Sequence, residues 1–138
     1  LEENKALVRR AVEALNERNW ALVGELIGPN FVDHNPLPSQ TTGPEGLMQS
    51  RTALHTDAFP DLQNIIEDMI AEGDKVMVRL AVSGTQRGEF MGIAPTNKRV
   101  SWTSIIIYRI AGGKVTERWA STDVFGVMQQ LGAIPPLG

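Results

Sequence analysis

A lone carboxylate at the end of a predicted strand is the group in this sequence best placed for acid–base chemistry. The stretch that follows the glycine pair at 112–113 predicts a turn and then a strand ending at Asp123. Side chains alternate between the two faces of a strand, so Asp123 shares a face with Glu117, Trp119 and Ser121. This spacing predicts a small pocket, walled in part by tryptophan and holding one acid.

Burial in such a pocket would raise the pKa of a carboxyl group, because a low dielectric disfavours its charged form. A carboxyl group tuned in this way can accept a proton from a bound molecule and later return it. His34, Asn35 and Arg79 are the candidate hydrogen-bond donors for any negative charge that forms. The residues alone therefore indicate acid–base chemistry and leave the reaction open.

Each of these residues also has a structural interpretation. Asp123 precedes a predicted helix, and aspartate is a favoured N-cap residue. His34 could be bonded to Asp33 or to a backbone group. Arg79 lies on a strand face where it could be solvated or paired with an acid. The spacing alone leaves both interpretations open for all three candidates.

Four aromatic side chains are candidates for the apolar lining of the pocket. They are Phe59, Phe90, Trp102 and Trp119. Large aromatics are most often core residues, but a ligand pocket is cut from the core, so both roles are compatible. We expect a small apolar molecule to bind among them.

Composition excludes several other classes of protein. The chain has 138 residues, 42% of them hydrophobic, and a net charge of −3 without a basic stripe, so we expect one domain that does not bind nucleic acid. No apolar run is long enough to cross a membrane, and a cytoplasmic location is the default expectation. There is no cysteine, and the only two histidines, His34 and His55, lie far apart. We therefore expect no metal site.

The hydrophobic periodicity predicts an α+β fold. We expect helices over residues 3–18 and 20–27, a third from 44 to about 58 with His55 exposed on it, and a short last one over 125–131. The predicted strands are 62–71, 75–86, 99–110 and 114–123, and they form an antiparallel meander. Pro36 and Pro38 should prevent the extended piece at 31–36 from continuing as a regular strand. One domain over residues 1–134, with the helices on one face of the sheet and a short tail at 135–138, is the predicted organisation.

Several fragments, in this order, resemble one known family, the SnoaL-like polyketide cyclases or ester cyclases. The fragments are Phe31-Val32-Asp33-His34-Asn35-Pro36, Ala58-Phe59-Pro60-Asp61, Glu72-Gly73-Asp74-Lys75-Val76, Gly88-Glu89-Phe90-Met91-Gly92-Ile93, Tyr108-Arg109-Ile110, and Glu117-Arg118-Trp119 with Asp123. They span nearly the whole chain.

This resemblance implies a cone-shaped α+β barrel of the nuclear-transport-factor and ketosteroid-isomerase type, in which helices pack on a strongly curved, mainly antiparallel sheet. It also implies a homodimer that pairs through the sheets. The characterised cyclases close a polyketide ring by intramolecular aldol condensation, without a cofactor, using an aspartate at the end of the last strand. Asp123 matches that aspartate, and His34 and Asn35 match the family's His-Asn-Pro segment. Gln86 stands where the family often has histidine, which makes a second histidine role doubtful here.

We therefore expect a cofactor-independent cyclase that acts on a small, apolar, carbonyl-bearing substrate. Asp123 and His34 are its expected catalytic residues, and Asn35, Arg79 and the four aromatic residues its expected binding residues. An isomerase or a hydrolase on the same cone, or a non-catalytic small-molecule-binding module, would use the same residues. The sequence leaves these alternatives open.

Overall fold

The computed structural model describes residues 1–134, and the predicted tail at 135–138 lies outside the described residues. The chain is α+β, as predicted, with four α-helices, one π-helical segment and five strands within that range. In chain order they are α1 (Glu2–Glu17), α2 (Trp20–Leu26), β1 (Ile27–Asp33), α3 (Gly43–Thr52), the π-helical segment (Ala53–Ala58), β2 (Gln63–Glu72), β3 (Lys75–Thr85), β4 (Arg99–Ala111), β5 (Lys114–Thr122) and α4 (Val124–Leu131).

The helix boundaries follow from local chemistry. Helix α1 ends where Arg18 adopts a left-handed conformation, and the Asn19 side chain then caps α2 by accepting a hydrogen bond from the Leu22 backbone amide at 3.2 Å. Pro44 lies in the first turn of α3, where its missing N–H costs nothing. None of the helices within residues 1–134 has the length and apolarity needed to span a membrane.

The sheet has five strands where four were expected. Its order is β1-β5-β4-β3-β2, with β1 parallel to β5 and every other pair antiparallel. The four-stranded meander left out the extended piece near Phe31, but that piece pairs with β5 up to Asp33 and adds the fifth strand. The strand has ended before Pro36 and Pro38, which agrees with the prediction that these prolines stop it from continuing. The extra strand brings Asp33 opposite Arg118.

A bulge in β5 decides which of its side chains face inward. Arg109 of β4 pairs with Glu117, but the next residue, Ile110, pairs with Val115, so Thr116 is one residue too many on β5. An inserted residue reverses the alternation beyond it. Val115 is buried on the inner face, and after the bulge that face is occupied by the even-numbered residues starting with Arg118.

The core lies between the inner face of the sheet and the helices. From β3 it receives Val76, Val78, Leu80 and Val82, all at most 4% exposed. His55 also lies inside, at 2% exposure, so the expectation that it would be exposed was wrong. The outer face of the sheet, opposite the core, leaves large apolar side chains in solvent.

Candidate functional site

A cavity of about 410 Å³ opens between the inner face of the sheet and the segment that follows β1. Most of its wall is apolar, contributed by β3, β4, α4 and the loop between β3 and β4. The apolar lining side chains are Pro36, Leu37, Pro38, Leu54, Leu62, Leu80, Val82, Phe90, Met91, Trp102, Ile106, Ala120, Val124 and Val127. We call this space the main cavity.

A second space, the vestibule, adjoins the main cavity and leads to the surface. Its volume is about 470 Å³, and it shares Leu37, Leu54, Phe90 and Met91 with the main cavity. Exposed residues such as Ser39 lie at its rim. The two spaces together suit an elongated molecule better than a compact one.

Arg118 is the most deeply buried charged group in the main cavity, with 6% exposure. Its Nη1 donates to both carboxylate oxygens of Asp33, at 3.1 and 3.2 Å. Asp33 is itself buried and accepts two further hydrogen bonds, from the Asn35 backbone amide and the Gln40 side chain. This network fixes Arg118 in place, because a buried charge is stable only when it is paired and bonded.

A second guanidinium, that of Arg51, enters the cavity wall from α3. Burial and, after it, the nearby positive charge of Arg118 lower the pKa of Arg51 to about 10. Its Nε donates to the Ser50 hydroxyl at 3.4 Å, which is a long and weak bond. Two cations and the one carboxylate of Asp33 therefore leave this end of the cavity with one positive charge in excess.

The other polar wall groups are neutral. The Asn35 side chain accepts a hydrogen bond from the Ala120 backbone amide at 2.8 Å, and the hydroxyls of Ser104 and Thr122 lie 3.0 Å apart. Within residues 1–134, no carboxylate or imidazole lines the main cavity. Nor do three or more histidine, aspartate or glutamate side chains in that range gather into a possible metal site.

A buried polar chain supports the wall behind Arg51. The His55 Nδ1 donates to the Arg51 carbonyl at 2.9 Å, and its Nε2 accepts from the Asn64 side chain at 3.2 Å. Asn64 is in turn held by Asn16 through three hydrogen bonds of 2.8 to 3.1 Å. Burial lowers the pKa of His55 to about 4, so its ring is neutral near neutral pH.

The structure places Asp123 outside the main cavity, so the expectation that its carboxylate is buried there was wrong. Asp123 is exposed, and its side chain accepts a hydrogen bond from the Gly126 amide at 2.9 Å as the N-cap of α4. Its backbone amide continues the pairing with β4, which leaves the side chain on the outer face. The bulge at Thr116 is the physical reason, because it moves the odd-numbered residues of β5 outward.

His34 and Trp119 also lie on the outer side, against each other. Their rings stack with centroids 4.8 Å apart, and His34 Nε2 lies 2.8 Å from a Glu117 carboxylate oxygen. The pKa of Glu117 is lowered, first by this hydrogen bond and then by the contact with Arg109. His34 and Trp119 were expected to line one pocket with Asp123. Neither of the two lines the main cavity.

Arg79 points outward as well. It is exposed and pairs with Asp68 across the β2–β3 ladder at 2.6 Å. The interpretation of Arg79 as a sheet residue paired with an acid describes what the structure shows. It cannot act as a donor in the main cavity from this position.

Three of the expected binding residues do reach the main cavity: Asn35, Phe90 and Trp102. Phe59 lies immediately behind them, completely buried, with its ring 5.3 Å from Phe90 and 5.4 Å from Trp102. Phe59 therefore supports the wall without forming it.

Sequence reasoning missed the two arginines of the cavity. Arg51 falls on the apolar stripe of α3 with Leu47 and Leu54, and a charge on such a stripe is a signal that was available. Arg118 was missed because no feature of the sequence shows where β5 bulges, and the bulge decides that Arg118 faces inward.

Gln86 has a structural role in the loop between β3 and β4. Completely buried, it donates to the Gly88 and Ile93 carbonyls at 3.1 and 3.0 Å and accepts two hydrogen bonds from Thr96. These four bonds hold the loop that carries Phe90 over the cavity. Gln86 is therefore a residue that positions the loop.

Comparison with known proteins gives the family. Residues 5–131 match the SnoaL-like polyketide cyclase family. The chain is 33% identical over 132 residues to the aklanonic acid methyl ester cyclase DnrD of Streptomyces peucetius, covering 91% of this chain and 88% of that protein. It is 31% identical over 134 residues to the cyclase AcmA of Streptomyces galilaeus, covering 96% and 92%.

The fold gives the same result. The crystal structure of AclR from Streptomyces galilaeus, a proposed hydroxylase, matches with a TM-score of 0.86 and 31% identity, covering all of this chain and 86% of AclR. The predicted cone-shaped α+β architecture is thereby confirmed. This chain belongs to the family of SnoaL-like polyketide cyclases.

Proposed function

We propose that this protein catalyses an intramolecular aldol cyclisation of an apolar, carbonyl-bearing compound of the polyketide type, bound in the main cavity. The family and the relatives named as cyclases support this reaction class. The observation that carries the proposal is the pairing of an apolar wall with an excess positive charge at Arg51 and Arg118. Such a site favours a substrate that becomes an oxyanion during the reaction.

The arginines act by stabilising the enolate. A carbon between two carbonyls loses its proton to solvent water, and the negative charge moves to an oxygen facing the guanidinium groups. The enolate carbon then forms a bond to a second carbonyl carbon of the same molecule, and the resulting alkoxide takes a proton back from water. The net reaction is an isomerisation, so it consumes no second substrate.

This mechanism differs from the sequence-based one in its proton carrier. An aspartate acid/base at Asp123 was expected, but that carboxylate faces the outer side of the sheet and is engaged in capping α4. Charge stabilisation in a low-dielectric site commonly contributes about 2.7–4 kcal/mol for one donor. We therefore assign the larger share of catalysis to Arg118 and Arg51.

The experiment is to incubate the purified protein with aklanonic acid methyl ester, the compound named for the relatives DnrD and AcmA. We expect a cyclised product of unchanged mass, identified by chromatography and mass spectrometry, and its loss in Arg51→Gln. The control is Arg9→Gln, which removes the same charge from the exposed surface of α1. A product formed equally well by Arg51→Gln would contradict the role of the arginine.

A second candidate is hydroxylation, which the likeness to AclR favours. The product mass separates the candidates, including those left open by the sequence. Cyclisation and isomerisation leave the mass unchanged and differ in the product's ring count. Hydrolysis adds one water, hydroxylation adds one oxygen atom, and a binding module returns the compound unaltered.

We also propose that two copies of the chain pair through the outer faces of their sheets. The outer face exposes Ile65, Ile70 and Ile105, at 56%, 60% and 44%. Burying such residues contributes roughly 25 cal/mol for each Å² of apolar surface removed from water. Sedimentation velocity should show a dimer at micromolar concentration, and Ile105→Lys should shift it to monomer. A wild-type monomer under those conditions would refute the pairing.

A further inference from the structure

We propose that the natural ligand of the main cavity carries a delocalised oxyanion, a carboxylate or a 1,3-dicarbonyl enolate, that docks on Arg51 and Arg118. This inference rests on the same cavity as the proposed function, and it concerns the charge state in which the ligand binds, before any chemistry. It predicts that the cavity binds an acidic ligand more tightly than the corresponding neutral ester.

The first support is a set of donors at the cavity that the protein itself does not use. Arg118 engages only its Nη1, with Asp33 and, at 3.5 Å, the Asn35 carbonyl. Its Nε and Nη2, and both Nη atoms of Arg51, make no hydrogen bond within residues 1–134. In that range Arg109 Nε is the one fully enclosed side-chain nitrogen without a partner, so the free nitrogens of Arg51 and Arg118 keep contact with the open cavity and can donate to an acceptor bound there.

The second support is the charge of the site. The positive charge of Arg118 is near enough to Arg51 to lower the pKa of Arg51, and Asp33 neutralises only one of the two charges. A bound monoanion would bring the local charge to zero and remove that repulsion. A neutral carbonyl could accept the same hydrogen bonds, but it would leave the excess charge in place.

The third support is geometry. A guanidinium presents parallel N–H groups in a rigid fork, and that fork matches two oxygens that share one negative charge. Carboxylates and 1,3-dicarbonyl enolates both have this arrangement. The apolar wall, with Phe90 and Trp102, then suits the flat carbon skeleton to which the oxyanion is attached.

The experiment measures binding with three probes and no turnover. Anthraquinone-2-carboxylate supplies a carboxylate, 2-phenyl-1,3-indandione supplies a 1,3-dicarbonyl enolate, and methyl anthraquinone-2-carboxylate is the neutral control with the same ring system. Binding is followed by isothermal titration calorimetry near neutral pH. We expect the carboxylate to bind at least about tenfold more tightly than its ester, since one charge-assisted hydrogen bond contributes about 1.5–3 kcal/mol.

Variants locate the preference. Arg51→Gln should remove most of the difference between acid and ester, whereas Arg9→Gln, on the exposed face of α1, should leave it unchanged. Arg51→Met, which suits an apolar wall, serves in place of Arg51→Gln if the latter does not fold. A preference that persists in both would overturn the assignment to Arg51.

The wild-type measurement decides the inference whatever the variants do. If neither anion binds more tightly than the neutral ester, the inference is overturned. Tight binding of the indandione enolate alone identifies an enolate site, and tight binding of both anions identifies a general oxyanion site. If the protein cyclises a neutral ester but shows no preference for acids, the proposed function stands and this inference fails. If it prefers acids but cyclises nothing, this inference stands and the proposed function fails.

Discussion

The two faces of β5 differ in chemistry although their residues alternate along one strand. The inner face presents Arg118 and Ala120 to the main cavity, whose wall is mostly apolar. The outer face presents Glu117 and Trp119 to a half-exposed polar cluster that includes His34. Titratable groups of both signs lie outside, whereas the inside holds cations that exceed their counter-ion by one charge.

This comparison shows how much one inserted residue can decide. If the same residues formed a regular strand without the bulge, the odd-numbered residues after Val115 would continue on the inner face, and the cavity would contain an aspartate and a glutamate. With the bulge, the same sequence places Arg118 and Ala120 there instead. The following predictions test the contrast between the faces, from the largest expected effect to the smallest.

Arg118→Gln should have the largest effect. It removes the inner guanidinium and leaves the Asp33 carboxylate, 5% exposed, without its charged partner. Breaking a buried ion pair from one side typically costs about 3–5 kcal/mol, so we expect a loss of that size in urea unfolding, together with loss of carboxylate-probe binding. The outer-face change Glu117→Gln, one residue away, should cost far less, because its ion pairs lie at the surface, where solvent screens them.

The double variant Asp33→Asn/Arg118→Gln separates stability from binding. Removing both partners avoids the isolated buried charge, so stability should recover substantially while probe binding stays lost. Recovery of probe binding along with stability would mean that Arg118 serves only the fold.

The two histidines offer the next test, because His55 lies in the core and His34 lies on the outer side of the sheet. The pKa of buried His55 is lowered to about 4, so the folded state excludes a proton that the unfolded state accepts below about pH 6.5. Stability should therefore fall as the pH is lowered from about 6.5 to about 4, by up to about 3 kcal/mol from this group. Unfolding free energies measured across that range should show a weaker acid dependence in His55→Gln than in wild type. The control is the outer-face variant His34→Gln, in which the part of the acid dependence that comes from His55 should remain. If the unfolding free energy of His55→Gln depends on pH as in the wild type, the acid dependence does not come from His55.

Filling the inner face should affect binding and spare the fold. In Ala120→Phe an aromatic ring would project into the main cavity, which is large enough to receive it, so we expect probe affinity to fall at least about tenfold. Ala81→Phe places the same ring on the outer face and is the matched control. Calorimetry with anthraquinone-2-carboxylate measures both. Equal losses in the two variants would show that the probe does not bind in the main cavity.

Most of the fold was predictable because hydrophobic periodicity reports burial directly. The alternation in β3 and the helical stripe of α1 place their elements within a few residues. Strand β1 was missed because its pairing depends on β5. The paired residues Val32 and Glu117 lie 85 positions apart in the chain, beyond the reach of any local sequence pattern.

The site was less predictable, because whether a strand residue faces the cavity depends on its place in the alternation of the strand and not on its residue type. The aromatic residues Phe90 and Trp102 were expected at the cavity and lie there. The choice of Asp123 over Arg118 assumed a regular strand, and no sequence feature shows on which side of the bulge the alternation changes. His55 was assigned to the surface because its partner Asn64 lies on another element.

Asp123→Asn should have the smallest effect and gives the most direct comparison with the sequence-based mechanism. Asparagine caps helices about as well as aspartate, so the substitution should change stability by less than about 0.5 kcal/mol. Since the carboxylate lies on the outer face, turnover of whichever compound proves to be cyclised should stay near the wild-type rate, measured as kcat alongside the melting temperature. Asp123→Ala, which removes the cap, should lower stability by about 1 kcal/mol and also leave the rate unchanged. Loss of turnover in a fully folded Asp123→Asn would instead place the proton transfer at this carboxylate, and the substrate would then have to reach the outer groove beside Trp102 and Thr103 that Asp123 borders.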